Sequence, residues 1–221
     1  MLEGRKLHLM RITLFDNHDS FTWNLAHDLE RLGAKVTVVR DGDWDESCWA
    51  QTDALVLSPG PGLPEEHPQL MEVVAGAVVR RIPVLGVCLG MQALALHFGG
   101  TLRNLSEPLH GRRSQMFLDV VPEGAGPLGA MWDGLEAQME VGHYHSWVVD
   151  VEHLPEALNV NARNGEGLPM AFFHKSLPVA GVQFHPESVL TPRGLDMLKG
   201  WMASAQRCLA ISASNVSLNF S

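Results

Sequence analysis

A cysteine between two glycines is the feature of this sequence that most clearly suggests chemistry. Cys88 stands in Gly86-Val87-Cys88-Leu89-Gly90, where a predicted strand ends and a predicted helix begins. A nucleophile on such a turn is forced into a strained backbone, and the glycines leave room for the neighbouring strand and helix. The helix dipole favours thiolate over thiol, and the N–H of Leu89 is placed to hold an oxyanion. The pattern indicates a nucleophile, with a small buried hydrophobic residue as the alternative.

A thiol nucleophile needs a base, and His185 is the best placed of the eleven histidines. It stands in Gln183-Phe184-His185-Pro186-Glu187-Ser188, where Pro186 breaks a predicted strand, and the carboxylate of Glu187 could orient the imidazole. A surface histidine at a strand end is the alternative for this residue taken alone. The set favours catalysis, because Cys88, His185 and Glu187 all follow strand ends, where open α/β sheets place their sites.

A glycine-rich turn, Ser58-Pro59-Gly60-Pro61-Gly62, follows a third predicted strand. Its N–H groups could complete an oxyanion hole or cradle a phosphate, and a plain rigid turn is the alternative. The turn departs from both G-x-x-x-x-G-K-[ST] and G-x-G-x-x-G, so it does not favour nucleotide binding. His143-Tyr144-His145 likewise differs from H-E-x-x-H, so the sequence predicts no metal site.

Alternating strands and helices must position these residues. In the first half, short apolar runs alternate with segments of helical spacing, which is typical of an open α/β sheet flanked by helices. We predict strands at 9–15, 35–39, 53–57 and 83–87, and helices at 20–32, 69–80 and 89–98.

The second half changes character, because short strand-like pieces are divided by Gly, Pro and Asn. This pattern predicts hairpins and a mixed sheet edge, with strands at 116–121, 146–151, 157–162, 170–174 and 179–184. Thr191 and Pro192 are expected to open a last helix as N-cap and first helical residue. We expect an N-terminal extension at 1–9, one domain at 10–205 and a loosely held, Ser- and Asn-rich tail at 206–221.

Composition restricts the function classes. The chain has 221 residues, 46% hydrophobic and 19% charged, and a formal net charge of -9. It is long enough to bury a core, and its excess of acidic residues argues against a role in binding nucleic acid. No segment has the length and apolarity of a membrane span or a signal peptide. The three cysteines, Cys48, Cys88 and Cys208, are too few and too scattered for a disulfide framework, so we expect a cytoplasmic protein.

With these residues in place, the sequence resembles the class I (triad) glutamine amidotransferases over roughly residues 10–205. Asp16-Asn17-His18-Asp19-Ser20-Phe21-Thr22-Trp23-Asn24-Leu25 is similar to the opening signature of the chorismate-using branch, the glutaminase subunits of anthranilate synthase and aminodeoxychorismate synthase. Four further motifs follow in the family order, at 58–62, 86–92, 143–147 and 181–188. The resemblance implies a flavodoxin-like fold, an open mixed and mostly parallel sheet flanked by helices.

The resemblance also implies roles. Cys88 would attack the carboxamide of L-glutamine, His185 would transfer protons, and Glu187 would orient His185. Water would then hydrolyse the γ-glutamyl thioester. The remaining implied residues hold the oxyanion or bind glutamine, and they are Gly60, Pro61, Gly62, Leu89, Gln92, Ser146 and Trp147.

The implied partner is a synthase subunit that uses the released ammonia to aminate chorismate, with Mg²⁺ on that partner and no cofactor in this chain. The anthranilate branch is our leading interpretation, and the aminodeoxychorismate branch is the alternative. A stand-alone γ-glutamyl hydrolase or an inactive scaffold protein are further hypotheses. The sequence departs from the family pattern at Met91, where His is usual, and at Trp147, where Leu is more frequent.

Overall fold

The computed structural model describes residues 9–119 and 126–218, and within these ranges the chain forms one nine-stranded sheet flanked by helices. The strand order is β2-β1-β3-β4-β9-β8-β7-β5-β6. The strands are β1 (Arg11–Asp16), β2 (Lys35–Arg40), β3 (Ala54–Leu57), β4 (Val84–Val87), β5 (Leu102–Leu118), β6 (Gln138–Val149), β7 (Leu158–Asn164), β8 (Pro169–His174) and β9 (Val179–Val182).

The half of the sheet from β2 to β9 is parallel, and its inner strands β3, β4 and β9 are buried on both faces. β2, β1, β3, β4 and β9 pair in parallel, and every residue of β3, β4 and β9 is buried. Alternate side chains enter different cores: Val56 joins one apolar cluster, whereas Leu55 and Leu57 join the other. This double burial explains why these strands are continuous apolar runs in the sequence.

Two helices cover each face of the parallel half. The helices are α1 (Thr22–Arg31), α2 (Pro68–Arg80), α3 (Leu89–His97) and α4 (Gly194–Leu218). Apolar residues of α1 and α4 join the cluster that contains Val56, and those of α2 and α3 join the cluster that contains Leu57. The arrangement confirms the predicted α/β fold. Among the described residues, no helix has the length and apolarity needed to cross a membrane.

The other half of the sheet is antiparallel, which confirms the predicted hairpins and mixed edge. β8, β7, β5 and β6 follow β9 with antiparallel pairing at each step. β5 and β6 are much longer than predicted, because they form an extended hairpin with irregular register after Asn104 and after His110. Most side chains of β5 are exposed, so the strand lacks the apolar alternation that sequence analysis uses. The predicted strand end at 120–121 lies outside the described residues.

The C-terminal segment differs from the prediction. We expected a loose tail from residue 206, but α4 continues through Leu218. Ala205 is buried, and Cys208 and Leu209 pack against the core, so one apolar face extends beyond the predicted end. The serines fit the helix because their hydroxyls bond to carbonyls four residues earlier, as Ser212 does to Cys208 at 3.0 Å. Residues 219–221 of the predicted tail lie outside the described residues.

Candidate active site

Cys88 sits on the tight turn between β4 and α3. Its φ is 51° and its ψ is -103°, a backbone conformation that a residue with a side chain rarely adopts. A Cβ on Gly86 would lie 2.5 Å from the backbone of Gly90, and a Cβ on Gly90 would lie 2.5 Å from the carbonyl oxygen of Leu57. The strained backbone of Cys88 and the lack of room for a side chain at Gly86 and Gly90 confirm the tight strand-to-helix turn that the glycine spacing predicts.

Because the turn tolerates no extra atom, a Gly90→Ala change is expected to destabilise the protein by about 1–3 kcal/mol, the usual cost of overpacking. The new methyl group would press on the backbone of β3, which cannot move without breaking its pairing with β4. Urea unfolding would measure this loss. Gly165→Ala is the matched control, because a Cβ at Gly165 meets nothing within 4 Å, and it should leave stability nearly unchanged.

Three neighbouring parallel strands bring the predicted residues together. β3, β4 and β9 lie side by side, so the turn after Leu57, Cys88 after β4 and the segment after Val182 meet at one edge of the sheet. The N–H of Cys88 donates to the carbonyl of Val182 at 2.8 Å, which ties the cysteine turn to the histidine segment. This is the edge at which open α/β sheets place their ligands.

His185 and Glu187 form a buried pair. Nδ1 of His185 lies 2.7 Å from Oε1 of Glu187, and the two side chains are 2% and 0% exposed. Burial lowers the pKa of His185, but its interactions with Cys88 and Glu187 outweigh burial and raise that pKa to about 10. Nε2, the other ring nitrogen, is buried without a hydrogen-bond partner among the described residues, so it is the atom available to the thiol.

The chain around His185 is braced on several sides. Its N–H donates to the carbonyl of Gly142 at 3.0 Å, and its carbonyl accepts from the hydroxyl of Thr191 at 2.6 Å. The sequence predicts Thr191 as the cap of the last helix, but α4 begins at Gly194. The hydroxyl of Thr191 donates to the carbonyl of His185 instead of capping a helix. The rings of Phe21 and Tyr144 pack against the imidazole at 5.5 and 5.0 Å between centroids.

Asn17 and His67 hold the glycine-rich turn in place. Asn17 donates its backbone N–H to the Ser58 hydroxyl at 2.9 Å and its side-chain amide to the Ser58 carbonyl at 2.9 Å. At the other end of the turn, Nε2 of His67 donates to the carbonyl of Pro61 at 2.9 Å. A Cβ at Gly60 would lie 2.5 Å from the side chain of Leu89, so the turn closes directly over the start of α3.

A cavity of about 180 Å³ opens in front of Cys88. This is smaller than the pockets of roughly 300–1,000 Å³ that take drug-sized ligands, and it suits a small metabolite. All seven residues predicted to hold glutamine or an oxyanion lie on its wall, with His185 and Glu187 buried behind Cys88. The complete lining is Gly60, Pro61, Gly62, Cys88, Leu89, Gln92, Pro108, His110, Tyr144, His145, Ser146 and Trp147.

The two departures from the family pattern have different surroundings. Met91 is fully buried, and a Cβ on Gly181 of β9 would lie 2.7 Å from its side chain, so Met91 is a core residue between helix and sheet. Trp147 lies at the cavity, and its backbone carbonyl accepts a hydrogen bond from Gln92 at 2.8 Å. The side chain at position 147 therefore does not decide this contact.

His143 and His145 form a buried, neutral pair beside the cavity. Nδ1 of His143 lies 3.2 Å from Nε2 of His145, and Nε2 of His143 lies 2.7 Å from the hydroxyl of Ser114. Burial, together with the charge of His185, lowers the pKa of His143 to about 4; burial and the two neighbouring histidines lower that of His145 to about 3. The described residues contain no group of three or more His, Cys, Asp or Glu arranged to hold a metal.

Acidification should therefore destabilise the fold through His143. A lowered native pKa means that the unfolded state binds the proton first, so stability is present above about pH 6.5 and is lost as pH falls towards 4. Between pH 7.5 and pH 5, this residue alone should cost about 2 kcal/mol. Urea unfolding at the two pH values measures this cost. Between them, the free energy of unfolding should fall by about 2 kcal/mol less in His143→Gln than in the wild type. Exposed His27→Gln, the control, should behave like the wild type.

Sequence analysis missed several side chains that shape the site. Phe21 and Asn17 stand in the N-terminal signature, where residue type alone does not show which neighbours they touch. Tyr144 stands in the motif at 143–147, but the motif does not show that its ring packs against His185. Gln183 stands two residues before His185, and it is fully buried with its amide nitrogen 3.6 Å from the sulfur of Cys88. A polar residue between two apolar strand residues was the available signal for Gln183.

Comparison with known proteins shows the family of this chain. The family model "Glutamine amidotransferase class-I" matches residues 13–205. Anthranilate synthase component 2 of Mycobacterium tuberculosis is 40% identical over 197 residues, which cover 87% of this chain and 82% of that protein. Aminodeoxychorismate/anthranilate synthase component 2 of Bacillus subtilis is 36% identical, over 89% and 97%. A putative GMP synthase protein from Thermoplasma acidophilum superposes with a TM-score of 0.81 at 26% identity, over 93% of this chain and 98% of that one.

Proposed function

Because this chain belongs to the class I glutamine amidotransferase family, we propose that it is the glutaminase subunit of anthranilate synthase, supplying ammonia to a synthase subunit that aminates chorismate. The observation that carries the proposal is the position of Cys88, which occupies a strained turn at the wall of the cavity with the His185–Glu187 pair behind it. A nucleophile, a base and an orienting carboxylate in this order are the parts that acyl transfer through a thioester requires.

In the proposed first step, the sulfur of Cys88 attacks the side-chain carboxamide carbon of glutamine. Nε2 of His185 takes the thiol proton, and its raised pKa favours the imidazolium that results. Glu187 stabilises that imidazolium through Nδ1 and fixes the ring so that Nε2 points to the reaction. The carbonyl oxygen of the substrate becomes an oxyanion, which the backbone N–H groups of Gly60 and Leu89 would hold.

In the next step, the C–N bond breaks and His185 gives its proton to the departing ammonia. The product on the enzyme is a γ-glutamyl thioester of Cys88. Water then attacks the thioester with His185 as base, and glutamate leaves as the thiol is restored. Gln92, Ser146 and Trp147 line the cavity and would bind the amino-acid part of the substrate, while Pro61 and Gly62 shape its other wall.

The ammonia would pass to the synthase partner rather than into water. The chain has a net charge of -9, which does not favour binding of the anionic chorismate and fits a subunit that handles only glutamine. The proposal assigns no cofactor to this chain and places Mg²⁺ with the chorismate-binding partner. A cytoplasmic location is also proposed, since Cys48, Cys88 and Cys208 are all free and the nucleophile must stay reduced.

The second candidate is the glutaminase subunit of aminodeoxychorismate synthase. It is supported by the name of the Bacillus subtilis relative, which includes both activities. The two candidates share the chemistry at Cys88 and differ only in the product that the partner releases. They are therefore separated by the partner and not by this site.

The test is to combine the purified chain with each of the two chorismate-aminating partners and supply glutamine and chorismate. The proposal expects glutamate release in step with anthranilate formation, and only with the anthranilate partner. Formation of aminodeoxychorismate alone would favour the second candidate. Both candidates would be contradicted if the isolated chain hydrolysed γ-glutamyl peptides rapidly and showed no glutamine-dependent activity with either partner.

A further inference from the structure

Gln183 is a buried carboxamide next to the nucleophile, and the glutaminase mechanism above gives it no role. It follows β9 directly and is fully enclosed, and its backbone N–H donates to the carbonyl of Met170 at 2.8 Å. A buried amide has two donor hydrogens and an acceptor oxygen that need partners. The partners of the Gln183 amide determine whether its NH₂ group or its oxygen faces Cys88.

Its side-chain contacts run from the cavity wall to the sulfur. Nε2 of Gln183 lies 3.6 Å from the sulfur of Cys88, and Oε1 lies 3.4 Å from Nε2 of Gln92. The same nitrogen of Gln92 lies 2.8 Å from the carbonyl oxygen of Trp147. The three contacts form one chain from the Trp147 carbonyl through two amides to the thiol.

The fixed end of this chain sets the direction of every hydrogen bond in it. A backbone carbonyl only accepts, so Gln92 must turn its NH₂ group towards Trp147. The second hydrogen of that NH₂ group is then directed at Gln183, which must accept it with its amide oxygen. The NH₂ group of Gln183 is consequently the end that faces the sulfur. Cys88 therefore receives a donor, and a donor stabilises a thiolate more than it stabilises a thiol.

We propose that Gln183 is a thiolate-stabilising donor for Cys88, held in that orientation by Gln92 and the carbonyl of Trp147. The inference deepens the proposed function and rests on Cys88 being its nucleophile. It assigns Gln92 two tasks, since this residue lines the cavity and also sets the direction of the donor chain. A change at the cavity wall would thereby alter the reactivity of the sulfur through Gln183.

The test measures the reactivity of Cys88 without any substrate. The rate of its alkylation by iodoacetamide is followed from pH 5 to pH 9, with the Cys88 peptide quantified by mass spectrometry so that Cys48 and Cys208 do not interfere. Gln183→Met keeps the length of the side chain and removes the donor. We expect its alkylation at neutral pH to fall on the order of tenfold, with the profile moved to higher pH, as the loss of one hydrogen bond to a charged group implies.

Gln183→Glu is the second variant, because it keeps the shape of the amide and replaces the donor with an acceptor. Its alkylation at neutral pH should fall at least as far. Gln138→Met is the matched control, since Gln138 is exposed on β6 and its side-chain amide donates to the exposed Gln115, and it should keep the wild-type profile. A wild-type rate and profile in folded Gln183→Met would overturn the proposal; if that variant does not fold, a wild-type profile in Gln183→Glu would do so. Failure of the wild type to hydrolyse glutamine would instead overturn the proposed function.

Discussion

Replacing Cys88 with alanine is expected to reduce glutamine-dependent product formation by the complete complex on the order of 10⁴–10⁶-fold, the range seen when a covalent nucleophile is removed. Without the sulfur, no γ-glutamyl thioester forms and ammonia is not released. The turn itself should survive, because alanine keeps the Cβ that the position already carries and Cys88 makes its backbone bond to Val182 through its N–H. The loss should therefore lie in chemistry and not in folding.

Two measurements make this prediction specific. The complex that contains Cys88→Ala should still aminate chorismate when ammonium salt replaces glutamine, because in the proposed function the partner takes up ammonia and Cys88 serves only to release it from glutamine. Cys208→Ala is the matched control: Cys208 lies on α4, with its sulfur 3.5 Å from the carbonyl of Pro127 and away from the cavity, and this variant should keep full glutamine-dependent activity. Retained glutamine-dependent activity in Cys88→Ala would refute the thioester mechanism.

The position of the proposed nucleophile could be predicted because local sequence determines it. Gly86 and Gly90 are required where strand and helix approach within a few ångströms, and Cys88, between them, has the strained backbone conformation. His185 follows in the same way from a strand that Pro186 breaks. In both cases a short run of residues determines the local backbone, and parallel pairing then places the strand ends at one edge of the sheet.

The parts that could not be predicted depend on contacts between distant segments. Phe21 reaches His185 across the sheet edge, and Gln183 reaches Gln92 across 91 positions of chain. The long hairpin of β5 and β6 has polar residues on exposed positions, so its pairing leaves little periodic signal in the sequence. The end of α4 could not be predicted for a different reason: its composition resembles that of a flexible tail, whereas Cys208 and Leu209 continue an apolar face.

The second large effect is expected at Glu187. A Glu187→Gln change keeps the size of the side chain but removes the negative charge that helps to raise the pKa of His185. The new amide can also donate to Nδ1, which would leave the proton on Nε2 and turn the wrong face of the imidazole to the thiol. For the corresponding change in a serine protease triad the loss in kcat is about 10⁴-fold, and we expect a loss of about 10³–10⁴-fold here.

This loss should lie in kcat and leave the KM for glutamine nearly unchanged, because Glu187 is buried behind His185 and does not line the cavity. Steady-state kinetics of the complex with varied glutamine would separate the two constants. Glu156→Gln, on an exposed surface, should match the wild type in both. A loss confined to KM would mean that Glu187 shapes the pocket instead of the base. A fall in kcat with KM unchanged would place its effect on proton transfer, because Glu187 contacts His185 and does not line the cavity that would hold glutamine.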